Sequence, residues 1–75
     1  MIKVKDPIFM KQFGLQLRNL RIANKLSQES LAYASDIPIS QIGRIERGEI
    51  NTTICTVKVL AKALDVDIKE LFDFF

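Results

Sequence analysis

With 75 residues, 48% of them hydrophobic and 27% charged, the chain has room for one domain, expected over 1–75 with its core from 7 to 73. No stretch approaches the ~20 apolar residues needed to span a bilayer, and the start MIKVKDPIFMK lacks an apolar run followed by a small-residue cleavage site. A lone cysteine, Cys55, cannot form an internal disulfide, and the absence of histidine excludes a metal site of the Cys/His type, so a cytoplasmic location is expected. The net charge of +2 is small but unevenly placed. Residues 1–48 carry eight basic side chains against four acidic ones, whereas residues 49–75 carry three against five.

Met1 to Asp6 is charged and aperiodic and reads as a frayed start, with a basic arm laid on a polyanion as the alternative. A first helix is expected from Asp6, as N-cap with Pro7 in the first helical position, to about Asn24. Phe9, Phe13, Leu17 and Leu20 follow helical spacing toward a core, and Lys11, Arg18 and Lys25 fall outside that stripe. Gly14 costs this helix roughly 1 kcal/mol against alanine, and the sequence offers no reason for it. Ser27 is a good N-cap for a second helix over about Gln28–Ser35, with Glu29 at the positive end of its dipole and Leu31 and Ala32, backed by Tyr33 or Ala34, as its apolar face.

Ser35-Asp36-Ile37-Pro38 then breaks the pattern. Asp tolerates the left-handed backbone that ends a helix, and Pro38 cannot continue one but suits the start of the next. A third helix follows over about Ile39–Arg47, with Ile39, Ile42 and Ile45 at three-residue spacing, and Gly48 closes it. With Ile37, Ile42 and Ile45 assigned to the core, Ile39, Ser40, Gln41, Gly43, Arg44 and Arg47 face outward. Two helices of two turns each joined by so tight a corner form a helix-turn-helix. After a polar loop, a fourth helix is expected over about Ile54–Leu64, with Ile54, Val57, Leu60, Ala61 and Leu64 inward. A short fifth, about Ile68–Asp73, gathers Ile68, Leu71, Phe72 and Phe75 on one side. No run alternates as a strand does, so the expected fold is all-α with five helices.

The run Ser27-Gln28-Glu29, Leu31-Ala32, Ile42 and Ile45-Glu46-Arg47-Gly48, with Arg21 upstream and Leu60-Ala61-Lys62-Ala63-Leu64-Asp65-Val66 downstream, resembles the lambda-repressor-like, XRE-family transcription regulators. The resemblance spans about residues 13 to 72. It departs at Asp36, where the family has a turn glycine, and at Pro38, where it has a capping serine or threonine. It implies a regulator that binds duplex DNA with helix 3 in the major groove. Ile39, Ser40, Gly43 and Arg44 match the family's base-reading positions, and Gln41, Arg47 and Asn51 match phosphate contacts. Arg44 is the strongest candidate, because a guanidinium can bond guanine O6 and N7 together. Ser27 and Gln28 open helix 2, where free backbone N–H groups and the dipole suit a phosphate. Arg21 and Glu46 each flank a core position and, by the resemblance, form a structural ion pair.

Catalysis is not expected: there is no histidine, the cysteine stands alone, and the carboxylates are scattered singly. No cofactor, membrane contact or small-molecule ligand is expected either. The expected partners are an operator and a second copy of the chain. Dimerisation is expected to cover Ile68, Leu71, Phe72, Phe74 and Phe75, with Ile50 or Val59 nearby, and to set two recognition helices ~34 Å apart on a pseudo-palindrome. A restriction-modification controller and the antitoxin of a toxin–antitoxin pair both fit a chain of this kind. A protein-bridging module of the same fold, docking through the apolar C-terminus, is the rival from another class.

Overall fold

The structure, a computed structural model, describes residues 4–74; Phe75 and the first three residues lie outside it. Four α-helices follow one another: α1 (Pro7–Ala23), α2 (Gln28–Ser35), α3 (Ile39–Glu46) and α4 (Ile54–Ala63). The expected fifth helix is a single 3₁₀ stretch, Ile68–Phe72. No strand occurs among the described residues.

The helix ends follow local chemistry. The side chains of Asp6, Ser27, Thr53 and Asp67 accept bonds from the N–H groups of Phe9, Ser30, Thr56 and Lys69, capping α1, α2, α4 and the 3₁₀ helix. Pro38 begins α3 with no side-chain cap, and its carbonyl accepts from Gln41 and Ile42 instead. The C-termini of α1, α3 and α4 share one device. The chain turns left-handed at Lys25, Gly48 and Asp65, and the next residue's N–H bonds back to Arg21, Arg44 and Ala61. Asp36 is also left-handed, with φ 58°, so the corner between α2 and α3 forms without glycine.

Leu17, Leu31, Ile42, Ile45, Leu60, Leu64 and Leu71 are fully buried and form the centre of the core with Phe13, Val57 and Ala61. α1 and α2 both pack on α3, α2 also packs on α4, and the 3₁₀ helix lies against α1 and α4. Gly14 has its reason here. A Cβ at this position would stand 2.3 Å from the carbonyl oxygen of Ile45 and 2.6 Å from that of Glu46. α1 and α3 therefore meet backbone to backbone, which only glycine permits.

Three expectations are corrected. Ile54, expected inward, is 86% exposed because it opens α4 beyond the edge of the packed elements. Phe9 is pushed to the rim, where its ring stacks on Phe72 (centroids 6.4 Å apart) and touches Phe74 (5.6 Å), while Met10 takes the buried position. Leu71, expected at a contact between copies, is fully buried in its own domain. The 3₁₀ turn drives it between α1 and α4, and Gln16 holds the turn with a 2.8 Å bond to the carbonyl of Glu70.

Candidate nucleic-acid interface

α3 has a division of labour along its length. Ile42 and Ile45 are buried, while Ile39, Ser40 and Arg44 stand on the exposed side. Ser40, Gln41 and Arg44 line one shallow depression together with Pro38 and, from the following loop, Glu49, Ile50 and Asn51. The structure thus brings Ser40, Arg44, Gln41 and Asn51, four of the expected contact residues, onto a common surface. Among the described residues, the side chains of Ser40, Gln41 and Asn51 bond to nothing else in the chain. Ser40 and Asn51 are exposed and Gln41 is partly so. The loop owes its direction to Gly48, whose φ of +73° closes α3, and a Cβ there would lie 2.7 Å from the Cα of Lys11.

Gln28, Gly43 and Arg47 form the adjoining part of the surface. Gly43, expected to face outward, is buried beneath its own chain. A Cβ on it would meet Arg47 Nη1 at 3.0 Å and the Gln28 amide at 3.6 and 3.8 Å. The missing side chain makes room for those two polar groups to lie over the helix. Ser27 is similarly committed: its Oγ accepts from Ser30 N and bonds to Ser30 Oγ, each at 2.9 Å, so the hydroxyl is a cap within the chain.

Beneath this surface sits a buried ionic network. Arg21 Nε donates to Glu46 Oε2 at 2.6 Å and its Nη2 to Oε1 at 3.1 Å, a bidentate pair whose side chains are 11% and 3% exposed. Arg21 Nη1 also donates to the carbonyl of Leu26 at 2.8 Å, which ties the end of α1 to the α1–α2 corner. The third member was not legible in the sequence: Gln28 Nε2 donates to Glu46 Oε1 at 3.0 Å. One carboxylate on α3 thereby fixes α1 through Arg21 and the start of α2 through Gln28. Burial of the pair demands this satisfaction, since either ion left alone would be costly. The only signal for the Gln28 bond was the short distance in sequence between a helix start and its packing partner, which does not choose a hydrogen bond.

The free end of the site is electrostatic. Arg47 Nε donates to Glu49 Oε2 at 2.7 Å, and Arg44 Nε lies 3.7 Å from Glu49 Oε1. The hydrogen bond with Glu49 raises the Arg47 pKa above its ordinary value, and the same bond, with smaller help from the charges of Arg47 and Arg44, lowers that of Glu49. No group of three or more potential metal ligands occurs among the described residues. No described helix is long and apolar enough to cross a membrane.

A short, capped α2, a tight left-handed corner and a second helix with its polar face outward define a helix-turn-helix DNA-binding regulator. The helix-turn-helix family model HTH_3 matches residues 17–71, and the chain belongs to that family, the XRE-type transcription regulators. Its relatives include the control protein C.BamHI of Bacillus amyloliquefaciens, 38% identical over 63 residues that cover 83% of this chain and 78% of that protein. The control protein C.SmaI of Serratia marcescens is 44% identical over 55 residues, covering 73% and 66%. Among solved structures, the restriction-modification controller protein C.AhdI of Aeromonas hydrophila superposes with a TM-score of 0.83 at 44% identity, covering 84% of this chain and 96% of its own.

Proposed function

We propose that this protein is a sequence-specific, non-enzymatic regulator of transcription that binds duplex DNA as a homodimer and acts as a restriction-modification controller. The observation that carries the DNA-reading role is the convergence of Ser40, Gln41, Arg44 and Asn51 on one surface, where no side-chain bond within the described residues uses Ser40, Gln41 or Asn51 and Arg44 has only an exposed ion pair with Glu49. α3 enters the major groove. Arg44 reads guanine through O6 and N7, Ser40 bonds a base edge, and Ile39, 49% exposed, packs on a thymine methyl. Gln41, Arg47, Asn51, the second amide hydrogen of Gln28 and the N–H groups at the start of α2 hold phosphates and set register without reading sequence. Gly43 contributes space rather than a contact. The controller role rests on the names of the relatives above, each a control or controller protein.

For the dimer, support comes from the apolar rim. Ile54 forms part of the wall of a hollow of about 200 Å³, which is otherwise mostly apolar (Phe9, Met10, Phe13, Ile50, Val57 and Phe72) with Asn51 and Thr52 at its polar edge. Two copies related by a two-fold axis place each Ile54 in the other's hollow, with the exposed parts of Ile68, Phe72 and Phe74 at the margin. A selection of bound sequences from a random duplex pool tests the function. The expected result is a pseudo-palindrome with half-sites about one helical turn, ~34 Å, apart. A pool that returns without enrichment would refute the reading.

A further inference from the structure

The polar surface of α3 and its loop contains an acid, Glu49, and a carboxylate has no favourable contact with phosphate. Its place is nonetheless fixed. Glu49 follows the left-handed Gly48, and its N–H bonds to the carbonyl of Arg44 at 2.9 Å. The side chain reaches back along the helix, with Oε2 on Arg47 Nε at 2.7 Å and Oε1 3.7 Å from Arg44 Nε. All three side chains are about half exposed, at 48, 57 and 59% for Glu49, Arg44 and Arg47. Ion pairs this exposed add little to stability. Arg47 donates a hydrogen bond through Nε, whereas Arg44 is drawn to the carboxylate at its Nε edge by charge alone, and among the described residues no hydrogen bond occupies the terminal Nη groups of either guanidinium. Those of Arg44 carry the paired donors that a guanine edge requires.

We infer that Glu49 is a specificity-determining positioning residue: it holds Arg44 by its Nε edge for base reading and keeps Arg44 and Arg47 from gripping phosphate on arbitrary DNA. The reasoning is one of competition. On random duplex the protein is held by phosphates alone, and the carboxylate both competes for the two arginines and repels the polyanion. On the preferred site, Arg44 gains a bidentate bond to guanine that the Glu49 contact leaves open, so the same carboxylate costs less there. Its net effect is to widen the gap between specific and non-specific binding. The lowered pKa of Glu49 is consistent with a carboxylate that stays ionised in this role.

This inference rests on the DNA-reading function proposed above, and one experiment separates the two. Wild type and Glu49→Gln are titrated against the sequence selected by wild type and against random duplex, at several salt concentrations. For Glu49→Gln, random-duplex affinity should rise about fivefold at 0.15 M salt, with a salt slope steeper by about one unit, as one more phosphate contact predicts. Affinity for the selected site should rise by less or fall, and preference at the guanine read by Arg44 should weaken. Equal gains on both duplexes would reduce Glu49 to simple repulsion and overturn the inference, as would no gain on random duplex. Were wild type itself to select no sequence, the DNA-reading function would fail and take this inference with it.

Discussion

Arg44 and Gln28 lie on one surface but are held in different ways, and their substitutions should differ accordingly. Arg44 has a single loose partner, so Arg44→Ala should leave the fold intact, cost ~1–3 kcal/mol on the selected site and relax choice at one base pair. Gln28→Ala should weaken every duplex alike, because phosphates carry no sequence. It also removes a bond to the buried Glu46, so a lower melting temperature should accompany the loss. Competition titrations with selected and random duplexes separate the two; equal losses on both for Arg44→Ala would refute base reading. The residues also bear on pH. The chain has no histidine, and Glu49 is held below the usual carboxylate range by its bond to Arg47. Its folded-state pKa being depressed, the pair's contribution is present above the ordinary carboxylate range and disappears only as pH falls through the lowered value. DNA affinity at fixed salt should therefore stay flat from pH 8 to 5, and a marked rise in random-duplex binding above pH 5 would contradict that.

At the scale of elements, the seam between α1 and α3 decides stability. Glu46→Ala leaves the guanidinium of Arg21 buried without its counter-ion, a change that costs ~3–5 kcal/mol. For a domain of this size that corresponds to a melting temperature lower by more than about 10 °C. Glu49→Ala, which breaks only exposed pairs, should move it by no more than a few degrees, and equal shifts for the two would mean that the buried network contributes little. Gly14→Ala is a sharper case. Helix propensity alone predicts a gain of roughly 1 kcal/mol, but the added Cβ would meet the α3 backbone, so thermal unfolding should show a loss. These elements also show what the sequence could tell. Caps at Asp6, Ser27 and Thr53 and the break at Asp36-Ile37-Pro38 are local chemistry, readable from residue type, and the helix boundaries follow them closely. Gly14 and the Gln28–Glu46 bond arise from contacts between elements, which no single element's pattern encodes.

At the scale of the whole molecule, periodicity identified the core but misplaced its edges. Ile54 and Leu71 share the apolar character on which that reading relied. What separates them is where neighbouring elements end: α4 starts beyond the packed layer, and the 3₁₀ turn swings Leu71 under it. Assembly is affected directly. Substitution of Leu71 would test folding, whereas Ile54→Asp alters a side chain already in solvent and should leave the monomer folded. Burying one such side chain fully is worth ~1.5–3 kcal/mol, so a symmetric contact that uses it twice is sensitive to the change. Sedimentation at tens of micromolar should show a wild-type dimer and a monomeric Ile54→Asp. A wild-type monomer, or a variant that stays paired, would sink the proposed interface.

The backbone contact at Gly14 has a further result for how such a molecule can change over time. Together with the buried Arg21–Glu46 pair, it anchors α3 entirely through its inner side. The outer positions 39, 40 and 44 lie away from that contact: Ile39 is about half exposed, Ser40 is exposed, and Arg44 pairs with the exposed Glu49. If α3 reads DNA as proposed, target preference and foldability are written on opposite sides of one eight-residue helix. On that reading, a new recognition sequence would be acquired by exchanging three side chains, without renegotiating the scaffold that presents them.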